Sequence, residues 1–274
     1  MLTSAGATAP LRPPLRRHSM ATLGIIGAGA IGTRLAQQAI TAGIDVVLAN
    51  SRGPETLAET VARLGARARA ATPAEAARAG DRVVLSIPLA AYRQLPVAEL
   101  AGKVVLDTSN YYASRDGRLP RLDTGELTTS ELVQQHLAGA HLVKAFNSIS
   151  DHHIPALARP AGAPDRTALP IAGDDPRAKA DAAELISRLG FDTVDAGPLS
   201  ESWRFEPETD PYVLPYSSDP DAIRASWVRL VEALRNGTPP QLAAPDPGAP
   251  LPAARLRALL AGASRKLTAD RMIA

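Results

Sequence analysis

A chain of 274 residues, 45% hydrophobic and 21% charged, has room for one large folded domain plus a small appendage. Its 30 basic residues nearly balance 28 acidic ones, a net charge of +2 that lacks the electrostatic footprint of a nucleic-acid binder. Cysteine is absent, which excludes disulfides, thiolate metal sites and cysteine nucleophiles, and no apolar run reaches the roughly 18 residues of a membrane-spanning helix.

Residues 1–20 read MLTSAGATAPLRPPLRRHSM, with basic residues and prolines but no acid. Arg16-Arg17 before an apolar stretch has the outline of a twin-arginine export signal, but that stretch doubles as the first strand of the fold. We read the segment as a disordered leader, or as residues ahead of a start at Met20, and expect a cytoplasmic protein. From Thr22 to about Gly197 short β-branched runs alternate with helical patterns, as in βαβ units. The predicted strands are Thr22–Ile26, Asp45–Ala49, Arg67–Ala70, Arg82–Ile87, Lys103–Asp107, His141–Ala145, Ala168–Ala172 and Thr193–Asp195. Val83-Val84-Leu85 and Val104-Val105-Leu106 are continuous apolar runs, as strands buried on both faces require. Helices are predicted over Ile31–Ala42, from the capping signal Thr72-Pro73-Ala74-Glu75, and from Asp175-Pro176 to Leu189. The expected fold is α/β: a doubly wound, mostly parallel sheet of about eight strands over residues 21–199, with a small helical C-terminal extension.

That extension divides into a helical part, 200–237, with a helix over Asp221–Asn236; a Pro-rich linker, 238–252; and a last helix, 253–274, with Leu256, Leu259, Leu260 and Leu267 at helical spacing. The last helix must bury its apolar stripe either on its own chain or on a second subunit, so a homodimer is one expectation.

The function signal begins at the first strand, which runs into Gly27-Ala28-Gly29-Ala30-Ile31-Gly32. In a strand–turn–helix context this spacing is the dinucleotide fingerprint of the Rossmann fold: Gly27 for the tight turn, Gly29 for close approach to a pyrophosphate, Gly32 for helix packing. The helix N-terminus adds free N–H groups and a positive dipole end. The second strand ends in Asn50-Ser51-Arg52, where an NAD site would carry an acid for the ribose hydroxyls. A guanidinium and a hydroxyl suit a 2′-phosphate instead, so NADP(H) is the expected cofactor. Ligands sit beyond the carboxyl ends of such strands, which brings Ser86-Ile87-Pro88-Leu89 and Asp107-Thr108-Ser109-Asn110-Tyr111-Tyr112 to the site.

Gly27–Gly32, Asn50-Ser51-Arg52, Lys144-Ala145-Phe146-Asn147 and Asp195-Ala196-Gly197-Pro198-Leu199 together resemble the F420-dependent NADP oxidoreductase family over about Met20–Tyr212. The resemblance extends, at the level of the fold, to the cytosolic domain of metalloreductases that pass electrons from NADPH to flavin. It implies direct hydride exchange between the nicotinamide and a deazaflavin such as coenzyme F420, or a flavin, stacked against it. Under it Gly27, Ala28, Gly29 and Ile31 hold the pyrophosphate, Ser51 and Arg52 hold the 2′-phosphate, and Pro88 and Leu89 flank the ribose; Ala30, Gly32, Asn50 and Ile87 complete the set of cofactor-binding candidates. It places Lys144, Phe146 and Asn147 at the ring junction, with Lys144 and Asn147 as candidate catalytic residues and Asn147 on the carboxamide or the second substrate. Arg204 and Glu206 stand where the family has an Arg/Glu pair. The sequence departs from the pattern at Thr56, in the loop Asn110–Gly125 and beyond Tyr212.

Two other readings stay open: an NADPH-dependent reductase of a small imine or carbonyl, and a non-catalytic NADPH-binding sensor or partner subunit. Adjacent residues point apart, so His152-His153 is not read as a metal pair, though either could meet the substrate. Trp203 and Phe205, around Arg204, are candidates for a wall of the substrate cleft.

Overall fold

The computed structural model describes residues 21–236 and 245–268. The leader 1–20 and parts of the linker and last helix therefore lie outside the described residues. The β-prone runs assemble into one eight-stranded sheet of order β3-β2-β1-β4-β5-β6-β7-β8. The strands are β1 (Thr22–Ile26), β2 (Asp45–Ala49), β3 (Ala68–Ala71), β4 (Arg82–Leu85), β5 (Val104–Asp107), β6 (His141–Lys144), β7 (Ala168–Gly173) and β8 (Asp192–Asp195). β1 through β6 pair in parallel, with Ile26 opposite Ala49 on one side and Leu85 on the other. β7 then enters antiparallel, through only Val143 with Gly173 and Lys144 with Ala172, and β8 follows it in parallel. The sheet is the doubly wound α/β arrangement expected, with its last pair of strands reversed.

Helices cover both faces and close two cores. On one face helix Ala30–Thr41 buries Leu35, Ala36 and Ala39 against Leu23, Ile25 and Leu48, a layer continued by helices His153–Leu157 and Pro176–Arg188. On the other, helix Pro73–Ala79 packs Ala76 and Ala77 against Val47 and Val83. Small residues are needed there: a Cβ on Gly24 would stand 2.4 Å from the Ala76 carbonyl oxygen. Thr72 and Glu75 form the reciprocal capping box that the sequence announces.

After β8 the chain crosses back through the 3-10 segment Leu199–Phe205 and reaches helix Pro220–Arg235. The final helix is shorter than expected, Ala253–Gly262, and packs Leu256 and Leu260 into the chain's own core beside β7 and β8. Past Gly262 the backbone leaves the helix, and Arg265 turns inward to donate to the carbonyls of Gly125, at 2.7 Å, and Leu127. The described half of the linker is pinned as well: Ala168 N–H donates to Leu251 O at 2.8 Å, and Leu251 is fully buried. Among the described residues no helix is long and apolar enough to cross a membrane.

Candidate active site

The strand order turns at β1 and β4, and a crevice opens beyond their carboxyl ends. Two cavities occupy it, of about 570 and 430 Å³. They share Gly29, Ser86, Ile87 and Pro88, so a ligand can run from one to the other across the glycine turn.

The first cavity lies over β1, β2 and β3. Gly27, at φ +116°, turns the chain so tightly that a Cβ there would stand 2.0 Å from the Ser86 carbonyl oxygen. A Cβ on Gly29, by contrast, would meet nothing within 4 Å, so this backbone faces open space. Helix Ala30–Thr41 starts here with no side chain capping it, and its first internal bond runs from Thr33 N–H to Gly29 O. Its leading N–H groups are thus left for an anion. A pyrophosphate fits this turn, because the backbone is open exactly where a side chain would block it.

At the tip of β2, Asn50 Oδ1 accepts from Arg52 N–H at 3.0 Å while its Nδ2 donates to Thr56 Oγ1 at 2.8 Å. Thr56 also donates to Gly53 O at 2.7 Å. Thr56 therefore organises the turn that presents Ser51 and Arg52, and Asn50 serves the turn before any ligand. Ser51 and Arg52 are exposed on the cavity wall, and among the described residues none bonds the guanidinium. Glu55 is folded against Gly53 in the 3-10 turn Pro54–Leu57 rather than standing at the strand tip. Thr72 and Pro73 at the end of β3, with Gln94 and Leu95, complete the wall. Sequence reasoning missed them, since only the sheet order brings β3 beside β2.

The second cavity lies beyond β4, β5 and β6. Ala30, Ile31, Ile87, Pro88 and Asn147 line it. Three of the candidate residues line neither cavity. Leu89 is fully buried, packed with Tyr92 and Leu95 beneath the 3-10 segment Leu89–Gln94, and lines neither cavity. Lys144 is fully buried too; its Nζ donates to Ser109 O at 2.5 Å, with Glu206 Oε1 at 3.5 Å and Asp107 Oδ2 at 3.8 Å. A side chain so committed does not reach the reacting atoms; it holds the wall from behind. Gly32 is likewise buried, 1.9 Å from Gly27 O at its would-be Cβ, and serves helix packing alone.

Asn147 is only 4% exposed. Its Nδ2 donates to Phe205 O at 2.8 Å and to Asn110 Oδ1 at 3.1 Å, whereas its Oδ1 is buried and has no partner among the described residues. Asn110 returns a bond to Asn147 O at 2.9 Å. Asp107, buried behind them, accepts from Ser109 and Ser130 hydroxyls at 2.6 Å each. Phe146, at φ +57°, and Val213, also at +57°, hold strained backbone in the same wall. Strain of this kind persists only where the surroundings impose it, and it clusters at functional sites.

Trp203 and Phe205 do not form the cleft wall. Trp203 stacks on Arg204, Phe205 is buried, and Trp227 from helix Pro220–Arg235 stands in the cleft instead. Tyr112 and Arg115 enter from the loop beyond β5, with Tyr212 opposite. Tyr111, next to Tyr112, turns into the core and donates its hydroxyl proton to Asp123 Oδ1 at 2.8 Å. Of the two histidines, His152 lines the cleft, while His153 is buried and bonds Asp246 at 2.9 Å. The missed residues, Arg115, Tyr212 and Trp227, come from two loops and from a helix beyond the sheet, and their arrival at the cleft depends on tertiary folding.

The comparisons follow this geometry. The family described as "NADP oxidoreductase coenzyme F420-dependent" matches residues 22–111, which hold β1 to β5 and the residues lining the first cavity. The hypothetical protein SMa0349 from Sinorhizobium meliloti is 36% identical and superposes with a TM-score of 0.58 over 68% of this chain and 89% of that one. A structure titled as a "putative f420 dependent nadp-reductase" from Arthrobacter sp. FB24 is 22% identical, with a TM-score of 0.57 over 82% of this chain and 100% of that one, and shares the fold. A stretch of 53 residues is 42% identical to "Putative protein YjhV" of Escherichia coli (strain K12); the match takes in 19% of this chain and 39% of that curated relative's length. On this match, residues 22–111, the dinucleotide-binding part of the chain, belong to the coenzyme F420-dependent NADP oxidoreductase family, and the likeness to SMa0349 runs over most of the chain's length.

Proposed function

We propose that this protein exchanges hydride between NADP(H) in the first cavity and a deazaflavin- or flavin-type acceptor in the second. The observation that carries the reading is the continuity of the two cavities across Gly29, with an uncommitted guanidinium at one end and the Asn147 cleft at the other. When bound, NADP(H) supplies or takes the hydride at the nicotinamide ring. The chain's own work is positioning. Arg52 and Ser51 would hold the 2′-phosphate, the Gly29–Ile31 backbone the pyrophosphate, and Ile87 and Pro88 the middle of the dinucleotide. The orphaned Asn147 Oδ1 is an acceptor suited to a carboxamide N–H, and making that bond removes the cost of leaving it buried and unpaired. Trp227, Phe146 and Val213 would exclude water from the second ring. Such hydride exchange depends on orientation more than on a strong acid or base.

A second reading, reduction of a small imine or carbonyl, is favoured by the phenolic hydroxyls of Tyr112 and Tyr212 in the same cleft. Purified protein mixed with NADPH and either F420, FMN, or a small cyclic imine tests both. Loss of the NADPH absorbance band with F420 or FMN supports the first reading, and loss with the imine alone the second. Tight NADPH binding with no oxidation by any of them counts against both and favours a cofactor-binding subunit. A homodimer and a cytoplasmic location remain part of the proposal, open to sedimentation and fractionation.

A further inference from the structure

The second cavity holds two hydroxyls that the positioning role above does not use. Tyr112, on the loop beyond β5, and Tyr212, from the segment that follows the 3-10 turn Leu199–Phe205, both line it, and their hydroxyl oxygens are in hydrogen-bond contact. The direction of that bond follows from the bonds around it. Asn110 Nδ2 donates to Tyr212 Oη at 3.4 Å and to Asn147 O at 2.9 Å, which uses both of its protons. Tyr212 Oη, already an acceptor, therefore turns its own proton toward Tyr112. Tyr112 Oη accepts it, and the Tyr112 proton is left to point into the cleft. The chain of donors runs Asn147, Asn110, Tyr212, Tyr112 and ends at the space where the acceptor would lie.

We propose that Tyr112 is the proton donor to the acceptor in this cleft, with Tyr212 as the residue that stabilises the tyrosinate formed. The proposal rests on the reading that an acceptor takes hydride here. Hydride arrival at the electrophilic carbon leaves an electron pair on the conjugated heteroatom: the oxygen or nitrogen of a C=O or C=N group, or the ring nitrogen and carbonyl of a deazaflavin. The Tyr112 O–H bond breaks as the heteroatom–H bond forms, and the charge passes to the phenol oxygen. Tyr212 donates to that oxygen, and the Arg115 guanidinium, stacked on the Tyr112 ring with its carbon 4.8 Å from the centroid, lowers the cost of the charge. Tyr112 is partly open to solvent, so water restores its proton before the next turnover.

The other charged groups near the pair are Asp116, which Arg115 contacts at 2.8 Å, and His152 and Asp151, which line the same cleft. Burial raises the Tyr112 hydroxyl above its ordinary 10.0, against the bond from Tyr212 and the charge of Arg115. Burial, then Tyr112, raise Tyr212 well above the same value. Both are therefore protonated at neutral pH, as a donor requires.

The test uses the full chain and the variants Tyr112→Phe and Tyr212→Phe, each checked for an unchanged melting temperature and NADPH Kd. With whichever of F420, FMN or the cyclic imine oxidises NADPH, Tyr112→Phe should lower kcat by about 10²-fold or more. It should also remove the alkaline limb of the kcat–pH profile. Tyr212→Phe should lower kcat less and move that limb to higher pH. An unchanged kcat in Tyr112→Phe, or an alkaline limb that stays in place in both variants, would overturn the assignment. A readout independent of any acceptor is the ultraviolet titration of tyrosinate in the cofactor-free protein. If the hydroxyls are coupled, Tyr212→Phe shifts the Tyr112 step upward; two independent, unshifted steps would overturn the dyad. Should no acceptor oxidise NADPH in the wild type, the proposed function fails on its own, and the titration alone decides whether the pair exists.

Discussion

Arg52 is where cofactor choice concentrates, because its guanidinium is exposed on the cavity wall and held in place by a turn that Asn50 and Thr56 tie together. Arg52→Ala should raise the NADPH Kd about 10- to 100-fold, as loss of about 1.5–3 kcal/mol of charged hydrogen bonding implies, and leave NADH binding unchanged; titration calorimetry with both cofactors measures this. The two outer glycines of the turn should separate stability from binding. Gly27→Ala drives a Cβ into the Ser86 carbonyl at a positive φ, so it should destabilise the fold by about 1–3 kcal/mol or more in urea unfolding. Gly29→Ala meets open space and should change stability by under about 0.5 kcal/mol while weakening NADPH binding. Lys144→Met leaves the buried Asp107 and Glu206 carboxylates without their cation, and urea unfolding should show a loss of about 3–5 kcal/mol. The residue scale also shows where sequence reading stops. The Arg52 site was legible, because strand tip and fingerprint are set by local spacing. The inward turn of Lys144 was not, because a lysine at a strand end reads as a ligand-facing cation until Ser109, Asp107 and Glu206 are folded around it.

At the scale of elements, all eight strands could be placed from the sequence, although β3 (Ala68–Ala71) has no β-branched residue, and the helices at Ala30–Thr41 and Pro176–Arg188 from their periodicity and stop signals. The reversal of β7 could not, since its apolar run fits either direction and only a register of two residue pairs against β6 sets it. The linker is the clearest case of order without pattern. Its residues 245–252 have no hydrophobic period, yet Leu251 is buried and Asp246 receives bonds from Ser218 and His153. Burial raises the Asp246 carboxyl, but the bonds from Ser218 and Ser217 outweigh it and bring it to about 2. Burial first, then the neighbouring His152, hold His153 below its ordinary 6.5, against the pull of Asp246. For a histidine depressed in the fold, the unfolded chain binds the proton more readily. Stability contributed by the neutral ring is therefore full above pH 6.5 and is lost as pH falls from there toward the folded value. Unfolding midpoints measured from pH 8 to pH 5 should decline through this window in the wild type, and His153→Gln should flatten the decline. The depressed Asp246 acts lower: its contribution is full above its ordinary 3.8 and is lost as pH falls toward about 2.

At the scale of the whole molecule, one crevice at the carboxyl ends of β1 to β6 joins a cavity suited to a dinucleotide with one suited to a second planar group. The dinucleotide half lies within residues 22–111, where the family match falls, and it was the half most legible in the sequence. The acceptor half is assembled from Tyr112, Asn147, His152, Tyr212 and Trp227, spread over more than a hundred positions on loops and on a helix far along the chain. Sequence could name Asn147 there from its motif and bring Tyr112 and His152 forward as candidates, but it placed Trp203 where Trp227 stands. The most direct measurement of the central claim is deuterium transfer from NADPH labelled at nicotinamide C4, with F420 or the cyclic imine as acceptor. The two-cavity account predicts deuterium bound to carbon in the reduced acceptor, at a rate that falls with Arg52→Ala at limiting NADPH. NADPH consumption with no deuterium on the acceptor carbon, or tight NADPH binding with no transfer to either acceptor, would contradict it.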